Sequence, residues 1–227
     1  MTVPLSASHE RDVGIWIGEA QLKGTLAVPD GALALVVFAH GSGSSRRSSR
    51  NRFVAQTLHE RGIGSLLFDL LTPAEEEVDE RTARLRFDIP LLAGRLVGVT
   101  DWVRAQVDTG ALSLGYFGAS TGAAAALVAA AERPGVVKAV VSRGGRPDLA
   151  GAALPRVIAP TLLIVGGLDE QVIALNRLAL RRLTCPARLK IVPHATHLFP
   201  EPGALETATR LAADWFEAHL PGAARSS

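Results

Sequence analysis

The chain has 227 residues, 48% of them hydrophobic, so it can bury a sizeable core, and disordered, collagen-like and disulfide-scaffold classes are excluded. Charged residues make up 20% and the formal net charge is +2, which gives no general attraction to nucleic acid or to a membrane surface. The single cysteine, Cys185, can form no internal disulfide and fits a reducing compartment.

The first residues show no basic start followed by an apolar run, so no secretory signal is expected and a cytoplasmic protein is the default. The longest small-apolar stretch, residues 122–131, is far below the roughly 20 residues that a membrane span needs. Residues 13–17 and 21–28 are apolar with a period near two and are joined by Gly18-Glu19, which predicts an antiparallel hairpin. Residues 33–39 are almost continuously apolar, as in a strand buried on both faces of a parallel sheet, and they stop at His40-Gly41-Ser42-Gly43. Alternation follows: helix 51–60, strand 64–69, helix 87–107, strand 112–117, helix 121–132, strand 137–142, strand 161–165, helix 170–183, strand 187–192 and helix 204–219. This order predicts a mostly parallel, doubly wound α/β sheet, in a single domain over residues 1–220 with a frayed tail at 221–227. The acidic run at residues 75–80 reads as a solvated loop or helix start without chemistry.

Gly118-Ala119-Ser120-Thr121-Gly122 fits the pattern G-x-S-x-G between a strand-like and a helix-forming segment. Such a turn lifts its serine above the sheet, and the following helix aims N–H groups and a positive dipole end at any charge developing there. A serine hydroxyl is a weak nucleophile at neutral pH, so a base and a group orienting that base are required. Asp169, after the strand at 161–165, supplies a carboxylate at the carboxyl edge of the sheet; the competing reading makes it the N-cap of the next helix. Asp69 and Asp148, also near strand ends, are alternatives for the acid. Of six histidines, His9 precedes the hairpin, and His59 and His219 fall in predicted helices. His194 and His197 share the loop after the last strand, and His197, further from the sheet, is the better placed base. Their H-x-x-H spacing lacks a neighbouring carboxylate or cysteine to complete a metal site.

The chain order Ser120, Asp169, His197, each after a successive strand, resembles an α/β-hydrolase. With His40-Gly41-Ser42-Gly43-Ser44-Ser45 after the third strand and Ala195-Thr196-His197-Leu198-Phe199 near the end, nearly the whole chain is similar to the dienelactone hydrolase-like branch. The founding members carry a cysteine at the elbow where this chain has Ser120, which turns expectation away from dienelactone as substrate. The resemblance implies an oxyanion hole made by the N–H groups of Thr121 and Ser42, with Gly43 the alternative for the second donor, and a structural His40. It also implies a mostly parallel sheet with an N-terminal antiparallel hairpin and no cap domain.

The same Gly41-Ser42-Gly43 loop imitates a dinucleotide fingerprint, but Arg46 stands where the third glycine belongs. Arg46, Arg47, Arg50 and Arg52 after this loop, and Arg143 and Arg146 after the strand at 137–142, could meet an anionic substrate, Arg143 being the sharpest candidate. Only about 15 residues follow Gly145 before the next strand, too few for a folded cap, so a shallow site and short acyl groups are expected. The reading is a cofactor-free, metal-free serine hydrolase of short-chain carboxylic esters acting through an acyl-enzyme. Thioesters, amides, peroxy acids or dienelactone-like substrates for the same triad, or a binding protein that kept the fold, are the alternatives. The expected partner is a small-molecule ester, with no nucleic acid or membrane, and a homodimer is left open.

Overall fold

The computed structural model describes residues 9–220 and 222. The hairpin comprises β1 (His9–Ile17) and β2 (Ala20–Val28), paired from Ile17 opposite Ala20 outwards. Gly18 takes the φ of +59° that the tight connection requires. β1 begins at His9, so the histidine expected ahead of the hairpin is its first residue.

The remaining strands are β3 (Ala34–Ala39), β4 (Ile63–Phe68), β5 (Ser113–Ala119), β6 (Val137–Arg143), β7 (Thr161–Gly166) and β8 (Ala187–Val192). They form one sheet in the order β1-β2-β4-β3-β5-β6-β7-β8, with the hairpin joined antiparallel to β4 and every later pair parallel. Central strands β3, β4 and β7 are buried at every position, which accounts for their continuous apolar runs.

Helices α1 (Ser49–Glu60), α2 (Pro73–Thr82), α3 (Ile89–Ala105), α4 (Thr121–Glu132), α5 (Glu170–Leu180) and α6 (Ala204–His219) make the connections. α3, α4 and α5 cover one face of the sheet, while α1 and α6 cover the other and are tied together by Arg61 to Asp214 and Glu217. Nearly every residue of α4 is buried, and its alanines let it lie against both sheet and α3.

The acidic run is a helix start, one of its two readings, and is largely exposed except at Asp79. Thr72 caps α2 through a capping box with Glu75, so the run is helical. Asp79 lies on the buried side and accepts hydrogen bonds from the Leu85 and Arg86 backbone and from Arg86 Nε at 2.6 Å. Burial alone would push its carboxyl up; these donors outweigh that and hold it below the usual range. The helix expected over 87–107 is α3, Ile89–Ala105; its expected start at Phe87 falls in a 3₁₀ turn, Leu85–Phe87, and Asp88 caps α3.

Between β6 and β7 lies a kinked 3₁₀ segment, Pro147–Arg156, and no cap domain. The tail expected at 221–227 lies outside the described residues except for Gly222. Among the described residues no helix is long and apolar enough to cross a membrane.

Candidate active site

The carboxyl ends of β3, β5, β6, β7 and β8 deliver their loops to one edge of the sheet, where an open α/β fold binds its ligands. At the end of β5 the chain turns into α4 through Ser120, whose φ of 50° and ψ of −122° are strained for any residue with a Cβ. The turn is held on three sides: Ser120 N donates to the Arg143 carbonyl, and the Ser120 carbonyl accepts from Ala123 N and Arg146 N. Gly122 is required by contact, since a Cβ there would sit 2.3 Å from the Ala39 carbonyl oxygen.

Asp169 follows β7. Backbone geometry makes it the N-cap of α5, yet its side chain makes no capping bond. It meets His197 Nδ1 at 2.6 Å through Oδ2, with 15% of the Asp169 side chain exposed and 39% of the histidine's. Of the two loop histidines, His197 therefore has the carboxylate, and His194 is exposed. The two rival acids are engaged elsewhere: Asp69 binds Arg46 through both oxygens, and Asp148 forms a two-point pair with Arg146. Arg46 and Arg146 are thereby removed from the set that could meet a substrate, and Arg52 pairs with Glu10.

Ser120 and His197 line one cleft of about 220 Å³, together with Gly41, Ser42, Arg50, Asn51, Arg143 and Leu198. A second hollow of about 290 Å³, bounded by His40, Leu70, Leu92, Arg86 and Thr121, adjoins it across the Gly41–Ser44 loop. A larger cleft, about 780 Å³ between the hairpin and α1, contains none of Ser120, Asp169 or His197. Ser42 Oγ shares a 2.9 Å hydrogen bond with Thr121 Oγ1 and donates to the Arg86 carbonyl, so the two expected oxyanion donors belong to loops fastened to each other. Gly43, the alternative donor, takes a φ of +64° and is exposed.

His40 anchors the loop from beneath. A carbonyl can only accept, so the 2.9 Å contact with the Gly41 carbonyl puts the proton on Nδ1, and Leu70 N then donates to Nε2 at 3.0 Å. Both nitrogens are committed to the neutral ring, and burial pushes its pKa down against smaller opposing effects of the Gly41 bond and Asp69. A lowered histidine contributes stability that is present above its unfolded pKa of about 6.5 and is lost as pH falls below it. Urea melts at pH 7.5, 6.5 and 5.5 should show stability falling by up to about 1 kcal/mol per unit on this account. His40→Gln should flatten that slope; an unchanged slope would assign the acid sensitivity elsewhere, for instance to His59 or His219, which burial also lowers.

Two residues of the site carry no chemical motif. Gly144, with φ +52°, lies behind the His197 ring, and a Cβ there would stand 3.0 Å from the His197 carbonyl oxygen and 3.6 Å from Nδ1. Asn51, buried on α1, accepts from Arg143 at 3.1 Å. The Gly144-Gly145 doublet after β6 is the visible signal for the first; nothing local marks the second.

Sheet order, serine elbow and the aspartate–histidine pair after successive strands define an α/β-hydrolase. A crystal structure of a dienelactone hydrolase from Anabaena variabilis is 60% identical and superposes with a TM-score of 0.92, covering 94% of this chain and 99% of that one. The chain belongs to the dienelactone hydrolase family. Est1E from Butyrivibrio proteoclasticus shares the fold at 16% identity and a TM-score of 0.76, covering 91% of this chain and 98% of its own. A Mycobacterium tuberculosis protein, provisionally named a phosphoribosyl transferase, is 55% identical over 214 residues. That match covers 94% of this chain, which spans about half the length of the mycobacterial protein, 47%. No protein-family model matches the chain.

Proposed function

We propose that the protein is a serine hydrolase of small carboxylic esters that works through an acyl-enzyme. Ser120 attacks the carbonyl carbon while His197 takes its proton through Nε2. The tetrahedral intermediate places its negative oxygen against the N–H groups of Thr121 and Ser42, and collapses as His197 returns the proton to the departing alcohol. Water then repeats the sequence on the acyl-enzyme and frees the acid. Asp169 keeps the imidazole proton on Nδ1, which leaves Nε2 free to accept, and offsets the charge of the imidazolium.

The observation that supports this reading best is the 2.6 Å Asp169–His197 bond in a carboxylate that is geometrically an N-cap but does no capping. An aspartate there for helix stability would bond the α5 backbone instead. The two small hollows beside Ser120 support short acyl groups. Phosphoribosyl transfer, the name carried by the mycobacterial relative, finds less support in the shared stretch, because an activated hydroxyl at a strand-to-helix turn serves acyl transfer.

A fluorophosphonate probe should label Ser120 alone. Labelling should vanish in Ser120→Ala and fall strongly in His197→Ala, and p-nitrophenyl acetate and butyrate should be cleaved faster than the decanoate. A folded protein that stays unlabelled would leave a binding role on this fold, and a preference for long acyl chains would contradict the shallow site.

A further inference from the structure

α5 buries Val172, Asn176 and Ala179, spaced as one face of a helix. An amide in the middle of that stripe is out of pattern, because a buried polar group costs stability unless its bonds repay it. Asn176 is fully buried, and its Oδ1 has no partner among the described residues. Its Nδ2 makes two bonds, one to the Val172 carbonyl at 2.8 Å within the helix and one to the Gly145 carbonyl at 3.0 Å outside it. For α5 alone a leucine would form helix better and bury no orphan oxygen, so the bond to Gly145 is what the amide adds. Gly145 belongs to the turn after β6, and that turn touches two of the three catalytic groups. The Arg143 carbonyl accepts from Ser120 N, Arg146 N donates to the Ser120 carbonyl, and Gly144 lies behind the His197 ring. A Cβ at Gly145 would overlap Ser142 Oγ and the Ala123 Cβ, so the turn is packed tightly against β6 and α4. On its other side the Gly145 carbonyl is bonded to α5, the helix whose N-cap is Asp169.

We propose that Asn176 is a positioning residue for the catalytic triad: through the Gly145 carbonyl it fixes the turn at residues 143–146 against α5, and so sets the distance at which Ser120 meets the Asp169–His197 pair. The proposal rests on the ester-hydrolase reading and adds to it a residue remote from the substrate. Ser120 follows β5 and Asp169 follows β7, with β6 between them in the sheet, so the turn after β6 is where one bond couples the two. Asn176 lines neither of the hollows beside Ser120, so its loss acts on the alignment of the reacting groups and leaves ester binding alone.

Two variants of the full chain test this. Asn176→Leu keeps the volume and deletes the amide. Asn176→Ser keeps a donor for the Val172 carbonyl, one turn back, but cannot reach Gly145. With p-nitrophenyl acetate both should lose kcat roughly 10- to 100-fold, the scale of a displacement of about 1 Å at a reacting group, with KM within about twofold of the parent. Fluorophosphonate labelling of Ser120 should slow by the same factor, since it depends on the same alignment of Ser120 and His197. Asn176→Leu should melt close to the parent, because the two lost bonds are offset by removal of an unpartnered buried oxygen. Ala179→Gly, on the same buried face, loosens α5 without touching the Gly145 bond and should lower Tm with kcat unchanged. Should Asn176→Leu fail to fold, Asn176→Ser decides alone. A parental kcat in the deciding variant, a change confined to KM, or an equal loss of kcat in Ala179→Gly would overturn the positioning role while leaving the hydrolase in place. No ester turnover by the parent together with an unlabelled Ser120 would bring down both.

Discussion

Ser120→Gly should give a protein that is more stable than the parent and catalytically dead. Ser120 sits at φ 50° and ψ −122°, close to the first central position of a II′ turn, where a Cβ is poorly accommodated. The same angles recur at Gly151, φ 49° and ψ −122°, inside the 3₁₀ segment, and there the residue is glycine. The strain at Ser120 is of the order of 1–3 kcal/mol, and the added chain entropy of an unfolded glycine returns roughly 0.5–1 of it. A net gain of about 1 kcal/mol corresponds to a Tm higher by about 2–4 °C in a chain of this size. Ester turnover should fall by about 10⁵-fold or more, the scale on which losing a triad nucleophile is measured. Ser120→Ala is the control, because it deletes the hydroxyl but keeps the Cβ: equal loss of activity is expected without the rise in Tm. A glycine variant less stable than the alanine variant would mean that the bend is not strained, and the argument for a hydroxyl held out of the sheet by its backbone would go with it.

Much of this site could be read from local pattern, for a physical reason. The bend needs glycine on both sides of Ser120, the strand before it needs apolar residues and α4 needs small ones, so three independent requirements converge on one short stretch. β8, α4 and α6 have the boundaries expected from periodicity, since amphipathic or wholly buried segments declare their own period. What stayed hidden depends on long-range partners. Asp79 looked solvated because four of its five neighbours over 75–80 are glutamates, and only Arg86, seven residues away, reveals why its carboxylate is buried. The cluster of arginines looked uniform for the same reason: Asp69, Glu10 and Asp148 take up Arg46, Arg52 and Arg146, which leaves Arg50 and Arg143 as the pair facing the cleft. Asn51 could not be found at all from sequence, because its role exists only where α1 crosses the end of β6.

Asp169→Asn should lower ester turnover by about 10⁴-fold while changing stability by less than about 1 kcal/mol. The two effects separate because the residue occupies two positions at once. As the N-cap of α5 it contributes backbone only, with no capping bond from its side chain, and asparagine is as good a cap residue as aspartate. As the partner of His197 Nδ1 at 2.6 Å it contributes a carboxylate oxygen that can only accept. An asparagine can turn its NH₂ toward Nδ1, which moves the ring proton to Nε2 and leaves the imidazole unable to take the Ser120 proton. The rate of fluorophosphonate labelling should therefore fall with the rate of hydrolysis, since both begin with the same proton transfer. Asp148→Asn and Asp69→Asn serve as comparisons, because their carboxylates are spent on Arg146 and Arg46. An Asp169→Asn enzyme of undiminished rate, with the loss appearing instead in Asp148→Asn or Asp69→Asn, would transfer the acid's role to that residue and leave the short Asp169–His197 bond without a catalytic meaning.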